Sequence, residues 1–319
     1  MPSAPVVVLS QTTSSDPAKR ELQERLVAAL ASDVGVRVWV VPHVYDLPTD
    51  GPSVTALRQL DGDLIVLSWL YPRGMHWTLD RHGVRGQIGR TPMAAADVSP
   101  RVDKQPTNAS ERHVFELRET PDRTVYCLDL RDHNAAEPIV EEVRRIVAKL
   151  SHQTPLELAP QVQRIEEPSP RRWYPVIDFS RCTNCMECID FCLFGVYGVY
   201  RADQILVEQP DNCRKGCPAC SRVCPASAIV FPQHKTPGIA GVGGEASDWK
   251  LDLSDLFGGL QQAEGLRAIA AREREDHLAL SGPAVTPTSV ESPETEARHE
   301  VRTPDELDQL LDQVEGLDL

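Results

Sequence analysis

With 319 residues and 41% hydrophobic content, the chain is long enough for two soluble domains and a tail. It has no apolar run of the roughly 18 residues that a membrane-spanning helix needs. The net charge of −14 is uneven: residues 171–236 carry eight basic and six acidic side chains, residues 245–319 six and eighteen. That leaves no basic face for nucleic acid, so this class of partner is excluded.

The first residues lack a charged leader and run straight into VVVL at 6–9, which is too short for a signal peptide and predicts a strand. A cytoplasmic location is expected, where thiols stay reduced. Asp16-Pro17 predicts a helix start, with Asp as N-cap and Pro at the first helical position. Leu22, Leu26, Val27 and Leu30 recur on one helical face. Val36, Val38, Val40 and Val41 predict a second strand, residues 54–60 a short helix, 64–67 a third strand and 125–130 a fourth. Residues 138–150 close the region with an amphipathic helix carrying Ile139, Val143, Ile146, Val147 and Leu150. Buried strands alternating with such helices predict an α/β domain over residues 1–150, a mostly parallel sheet with helices on both faces. The stretch 71–124 is long for a connection, which implies a purpose. Ordered pieces are expected at 77–79 and 114–117, covering a sheet edge or lying against the cysteine-rich region.

Ligands of parallel sheets bind beyond the carboxyl ends of the strands, which makes two loops candidates. Thr12, Thr13 and Ser14 precede a helix N-terminus, a place for a phosphate. Trp69 and Tyr71 offer planes for a flavin. Helix caps and turns explain the hydroxyls equally well, and core or rim packing explains the aromatics. Cys127 reads as a small buried strand residue. His76, His82 and His113 have no ligand spacing and read as surface groups. Ser15-Asp16-Pro17 after the first strand, with the later stretch 64–77, resembles the sirohydrochlorin or cobalt chelatase-type fold. That family carries a metal-binding histidine where this chain has Ser10-Gln11, so chelation is not implied. The hydroxyl-rich loop is also similar to flavodoxin-like folds, without the glycine of their phosphate loop.

Residues 151–172 hold Pro155, Pro160, Pro168 and Pro170, which predicts an extended, semi-rigid linker. Eight of the nine cysteines follow in two runs. Cys182, Cys185, Cys188 and Cys192 are spaced C-x2-C-x2-C-x3-C; Cys213, Cys217, Cys220 and Cys224 are spaced C-x3-C-x2-C-x3-C and followed by Pro225. The runs repeat at an offset of 31 residues for the first pair and 32 for the others. An apolar strand-like run precedes each, at 176–177 and 205–207, and another follows, at 196–200 and 229–231. Zinc knuckles come as separated C-x2-C pairs, so the triplets argue against zinc. Disulfides do not suit a reducing compartment.

These runs, over about residues 172–235, resemble a bacterial-type two-[4Fe–4S] ferredoxin. The departures are the extra residue before Cys217 and Leu193 where many such motifs carry proline. The resemblance implies a small α+β domain at 173–236 and two [4Fe–4S] clusters. In two-cluster ferredoxins the fourth ligand of each run crosses to the other cluster. Carried over, Cys182, Cys185, Cys188 and Cys224 would hold cluster 1, and Cys213, Cys217, Cys220 and Cys192 cluster 2. Metal ligation would supply the stability that so small a core lacks.

Residues 237–319 are expected to form an acidic, partly disordered tail, with a Gly/Pro loop at 237–244, helical candidates at 251–260 and 266–280, and a Pro/Ser/Thr/Glu-rich segment at 281–300 whose composition predicts disorder. A final short helix from Thr303 carries Leu307, Leu310, Leu311 and Val314, a stripe suited to docking on a partner or folding back on the chain. The expected function is single-electron transfer to a redox protein partner, more carrier than catalyst. Arg214, Lys215 and Arg222 would raise a cluster's potential, steer an acidic partner, or simply face solvent. The alternatives are an oxidoreductase whose α/β domain binds a flavin or tetrapyrrole-like ligand, and an assembly subunit of a larger redox complex.

Overall fold

A computed structural model describes residues 5–33, 36–94, 121–150, 161–200 and 204–242. Six parallel strands form the main sheet, in the order β4-β5-β3-β1-β2-β6: β1 (Val6–Ser10), β2 (Arg37–Val41), β3 (Leu64–Ser68), β4 (Gln87–Ile88), β5 (Thr124–Asp129) and β6 (Gln161–Arg164). Parallel neighbours require crossover connections, supplied by α1 (Pro17–Ala31), α2 (Pro52–Arg58), α3 (Pro72–Arg81) and α4 (Glu137–Leu150). Asp16 caps α1 as its sequence predicts, its carboxylate accepting from the Ala18 N–H at 3.0 Å.

Successive strand residues point to opposite faces. Val7, Leu9, Ile65 and Leu67 meet Leu22, Leu26 and Leu30 of α1 and Ile139, Val143 and Ile146 of α4 in one apolar core. Val6, Val8, Val66 and Val125 face the other way, towards Val54 and Leu57 of α2 and Met75, Trp77 and Leu79 of α3. This second core does not end with the sheet. It runs on into Val176, Ile177, Tyr197, Ile205, Val230 and Phe231, so the cysteine-rich region closes the core of the α/β domain.

Several elements differ from expectation. The stretch 71–124 opens with α3, a full helix rather than an ordered piece at 77–79. Its signal is weak because nine of its ten residues are buried, Arg73, His76 and Asp80 among them, so a side that reads as polar and solvent-facing in the sequence is packed inward. Within the predicted linker, residues 161–164 pair with β2 as the edge strand β6. The piece expected at 114–117, and every element expected beyond residue 242, lie outside the described residues.

The cysteine-rich region has strands β7 (Val176–Ile177), β8 (Tyr197–Tyr200), β9 (Gln204–Val207) and β10 (Ile229–Val230), with helices α5 (Glu187–Phe191) and α6 (Ala219–Val223). Each half reads strand, cysteine loop, helix, strand. The outer strands β7 and β10 pair antiparallel, as do the inner strands β8 and β9. A final turn of helix, α7 (Pro237–Ala240), stands where a Gly/Pro loop is expected.

Candidate iron–sulfur site

The first cysteine loop turns tightly because Asn184 and Met186 adopt left-handed backbone, at φ 61° and 64°. Asn tolerates this conformation well; Met does so only where its surroundings hold it. The Asn184 side-chain Oδ1 accepts from the Ile205 N–H at 3.0 Å, which ties the loop to β9 in the other half. The Cys182 N–H donates to the Asp178 carbonyl at 3.0 Å. In the second loop the additional residue is absorbed by a turn, with Gly216 at φ 83° and the Cys217 N–H donating to Arg214 O at 3.0 Å. Cys188 and Cys220 lie in the short helices, and Cys192 and Cys224 stand at their C-caps.

The thiols influence one another in two sets. Burial pushes Cys182 up to about 11, with Cys224, Cys185 and Asp178 adding to the shift while a backbone hydrogen bond at Asn184 opposes it. Cys188 is raised by burial, then by Cys224, Cys182 and Cys185. Cys213 is raised by burial, then by Cys217 and Cys192. Cys220 is raised by burial against the opposing pull of the Tyr197 hydroxyl, with Cys213, Cys217 and Cys188 adding. Cys182 and Cys188 of the first run thus neighbour Cys224 of the second, Cys213 of the second neighbours Cys192 of the first, and Cys188 and Cys220 bring the two sets together. The buried Ala228 N–H donates to Cys224 Sγ at 3.2 Å. Such thiols resist ionisation alone, and a bound cation reverses that preference.

Among the described residues, no three His, Cys, Asp or Glu side chains are grouped around a point suited to a single metal ion. Tetrahedral zinc would draw four sulfurs to about 2.3 Å of one centre. Cys182, Cys188, Cys220 and Cys224 are buried, Cys192, Cys213 and Cys217 half-buried, and Cys185 exposed.

The α/β domain backs this site with charged and aromatic groups. Arg73 of α3 and Asp178 form a buried ion pair at 2.5 Å, and Arg73 Nη2 also donates to the Ser227 carbonyl. Tyr45 and Tyr174 stack at 4.2 Å between ring centroids. They also clasp each other: the Tyr174 hydroxyl donates to Tyr45 O at 2.6 Å, and the Tyr174 N–H to the Tyr45 hydroxyl at 2.7 Å. The Arg81 and Arg172 guanidiniums lie over the Tyr174 ring at 4.6 and 5.1 Å. Arg172 also pairs with Asp211 at 2.7 Å, and Trp173 Nε1 donates to Cys217 O at 3.1 Å. The aromatic and arginine spacing of 171–174 carries no motif, so sequence reasoning missed this seam.

The candidate ligand loops are taken up by the protein itself. The Thr12 hydroxyl accepts from the Ser14 N–H at 3.1 Å, and the Ser14 hydroxyl from the Asp16 N–H at 3.2 Å. Thr13 Oγ1 accepts from Arg171 Nη2 at 2.8 Å. With its amide carbonyl turned inward, Gln23 accepts from Trp69 Nε1 at 2.8 Å and the Thr12 N–H at 2.7 Å, so the two loops do meet. Tyr71 lies under the Arg131 guanidinium, 3.2 Å from its ring centroid. The Asp16 carboxylate occupies the N-terminus of α1, where a phosphate would be repelled. Cys127 is buried in β5, its thiol pushed up to about 12 by burial. His76 and His82 correct the surface expectation. Both are buried, because α3 is enclosed on all sides, and desolvation holds them down at about 4 and about 3. His113 lies outside the described residues.

Part of the chain is 46% identical over 68 residues to an uncharacterized ferredoxin of Methanocaldococcus jannaschii, a match covering 20% of this chain and 44% of that protein. The chain thus spans less than half the length of this relative, and the likeness defines a ferredoxin-like region. No protein-family model and no solved structure matches the chain. The likenesses of the α/β domain to chelatase-type and flavodoxin-like folds therefore rest on its sequence pattern alone. Among the described residues, no helix is long and apolar enough to cross a membrane.

Proposed function

We propose that the chain is an iron–sulfur electron-transfer protein holding two [4Fe–4S] clusters. Cys182, Cys185, Cys188 and Cys224 bind cluster 1; Cys213, Cys217, Cys220 and Cys192 bind cluster 2. The observation that carries this reading is that Cys224 lies near Cys182 and Cys188 of the first run and Cys192 near Cys213 of the second, which supports a crossed sharing of the fourth cysteines. The likeness to a ferredoxin supports it independently.

A cluster supplies a one-electron couple whose potential depends on net charge, hydrogen bonds to sulfur and exposure. The residues of this chain set those terms. The Ala228 N–H bonds Cys224 Sγ, and the Tyr197 hydroxyl acts on Cys220. The closeness of Cys188 and Cys220 gives electrons a short path between the sets. Cys185 of one set and Cys192, Cys213 and Cys217 of the other reach the surface, offering each cluster an edge to a redox protein partner.

Oxygen-free purification with iron and acid-labile sulfide counts tests the proposal. About eight of each per chain are expected. A colourless protein, or one holding zinc without sulfide, overturns it.

A further inference from the structure

Arg73 belongs to the α/β domain by sequence, yet its guanidinium ends inside the cysteine-rich region. The residue is 3% exposed, and its partner Asp178 1%. Its Nε donates to Asp178 Oδ2 at 2.5 Å and its Nη2 to the Ser227 carbonyl. Both contacts lie one step from a cluster 1 cysteine. On one side, the Asp178 carbonyl accepts from the Cys182 N–H at 3.0 Å. On the other, Ser227 precedes Ala228, whose N–H donates to Cys224 Sγ at 3.2 Å. The Asp178 N–H closes the circuit by donating to Ala228 O at 2.8 Å. Cys182 and Cys224 come from opposite runs, so the fork of Arg73 fastens the two chain segments that must meet at one cluster.

Charge points the same way. The Asp178 carboxylate belongs to the residue whose carbonyl receives the Cys182 N–H, which puts it beside the first run. Buried and unpaired, it would oppose the charge of a cluster. Arg73 cancels it, with Arg181 adding a second cation at 3.5 Å from the carboxylate. Among the described residues, the hydrogen bonds of Arg73 go to the segments bearing Cys182 and Cys224, while the Arg172 guanidinium pairs with Asp211 beside Cys213.

We propose that Arg73 is a positioning residue for cluster 1, by which the α/β domain both assembles that cluster and raises its potential relative to cluster 2. This rests on the two-cluster reading, and the test separates the two. Arg73→Met, Arg73→Lys and the doubly neutral Arg73→Met/Asp178→Asn are made in the full chain. Each is purified without oxygen, counted for iron, and titrated with both clusters followed by EPR. Cluster 1 is identified as the signal lost in Cys188→Ser. Eight irons in the unaltered chain establish the parent reading first; fewer than that defeats it and leaves Arg73 aside.

In Arg73→Met, cluster 1 alone should shift to lower potential by roughly tenfold in its reduction equilibrium, about 59 mV for one electron. Loss of cluster 1 alone, leaving about four irons, supports the same role. The double variant should recover most of the shift, because the uncompensated carboxylate is gone. If Arg73→Met does not fold, Arg73→Lys decides, with a smaller shift expected in cluster 1 only. Equal shifts in both clusters, no shift in either, or a double variant as displaced as Arg73→Met overturn the proposal.

Discussion

Replacing Cys224 by alanine tests the crossed arrangement, because sequence proximity groups this residue with the second run whereas its neighbours in space belong to the first. It follows Cys220 by four residues, yet its charge acts on Cys182 and Cys188 of the first run. Removing its sulfur should therefore abolish the cluster of the first run, and iron should fall from about eight to about four per chain. The protein part of the loss is also calculable. Cys224 is 6% exposed, and its sulfur accepts the buried Ala228 N–H. Stranding that amide costs about 1–3 kcal/mol, before any contribution from the lost metal. The assay is iron content with EPR of the reduced protein, set beside Cys188→Ala and Cys213→Ala. Cys224→Ala should reproduce the residual spectrum of Cys188→Ala. Should it reproduce that of Cys213→Ala instead, each run holds its own cluster and the crossed sets are wrong.

Tyr197→Phe should keep both clusters while the cluster of Cys220 falls in potential by roughly tenfold in equilibrium, about 59 mV, because the buried hydroxyl that favours the Cys220 thiolate is gone; a redox titration with neither cluster moved refutes the influence of that hydroxyl. Gly74→Val should destabilise the fold by about 1–3 kcal/mol in thermal unfolding, since even a Cβ at Gly74 would lie 3.0 Å from the Ala240 carbonyl, which is backbone and cannot turn aside. His82, held near 3 by burial and by Arg81, is neutral in the folded chain and takes up a proton more readily when unfolded. Its contribution is therefore complete above about pH 6.5 and drains away as the pH falls towards its folded value, amounting to about 2 kcal/mol lost by pH 5. His82→Gln should flatten that part of the pH dependence, and unchanged steepness in unfolding curves at pH 7 and 5 counts against it.

The elements most legible in the sequence are those whose burial is one-sided. Valine-rich β1, β2 and β3 and the striped helices α1 and α4 follow their periodicity to within a few residues. The duplicated strand, loop, helix and strand around the cysteines is legible for a different reason, since the cysteine spacing marks the register of each half. The edge strand β6 is hidden because three of its four residues are polar and Val162 is 42% exposed, as suits a strand paired on one side. Helix α3 is hidden by the opposite cause. Enclosed on every side, its Arg73, His76 and Arg81 look like surface groups until Asp178, Trp77 and Tyr174 are placed against them. The cysteines of the candidate site thus stand out in the sequence, whereas the groups packed behind them do not, because their partners are more than 90 residues away along the chain.

The same enclosure explains why a unit of this kind carries an α/β domain. A segment of about 60 residues buries too little surface to be secure unaided, and a parallel sheet needs both faces covered. Here each supplies what the other lacks. Helices α1 and α4 cover one face. On the other, Val176, Val230 and Phe231 join Val8, Val66, Met75 and Trp77 in a single core. Since that core is continuous, unfolding of the sheet face exposes the cysteine-rich region, and disorder in the cysteine loops frees Arg73 and α3. Any group bound by the folded cysteine loops must then stabilise the sheet as well, because it binds only the state in which both are assembled.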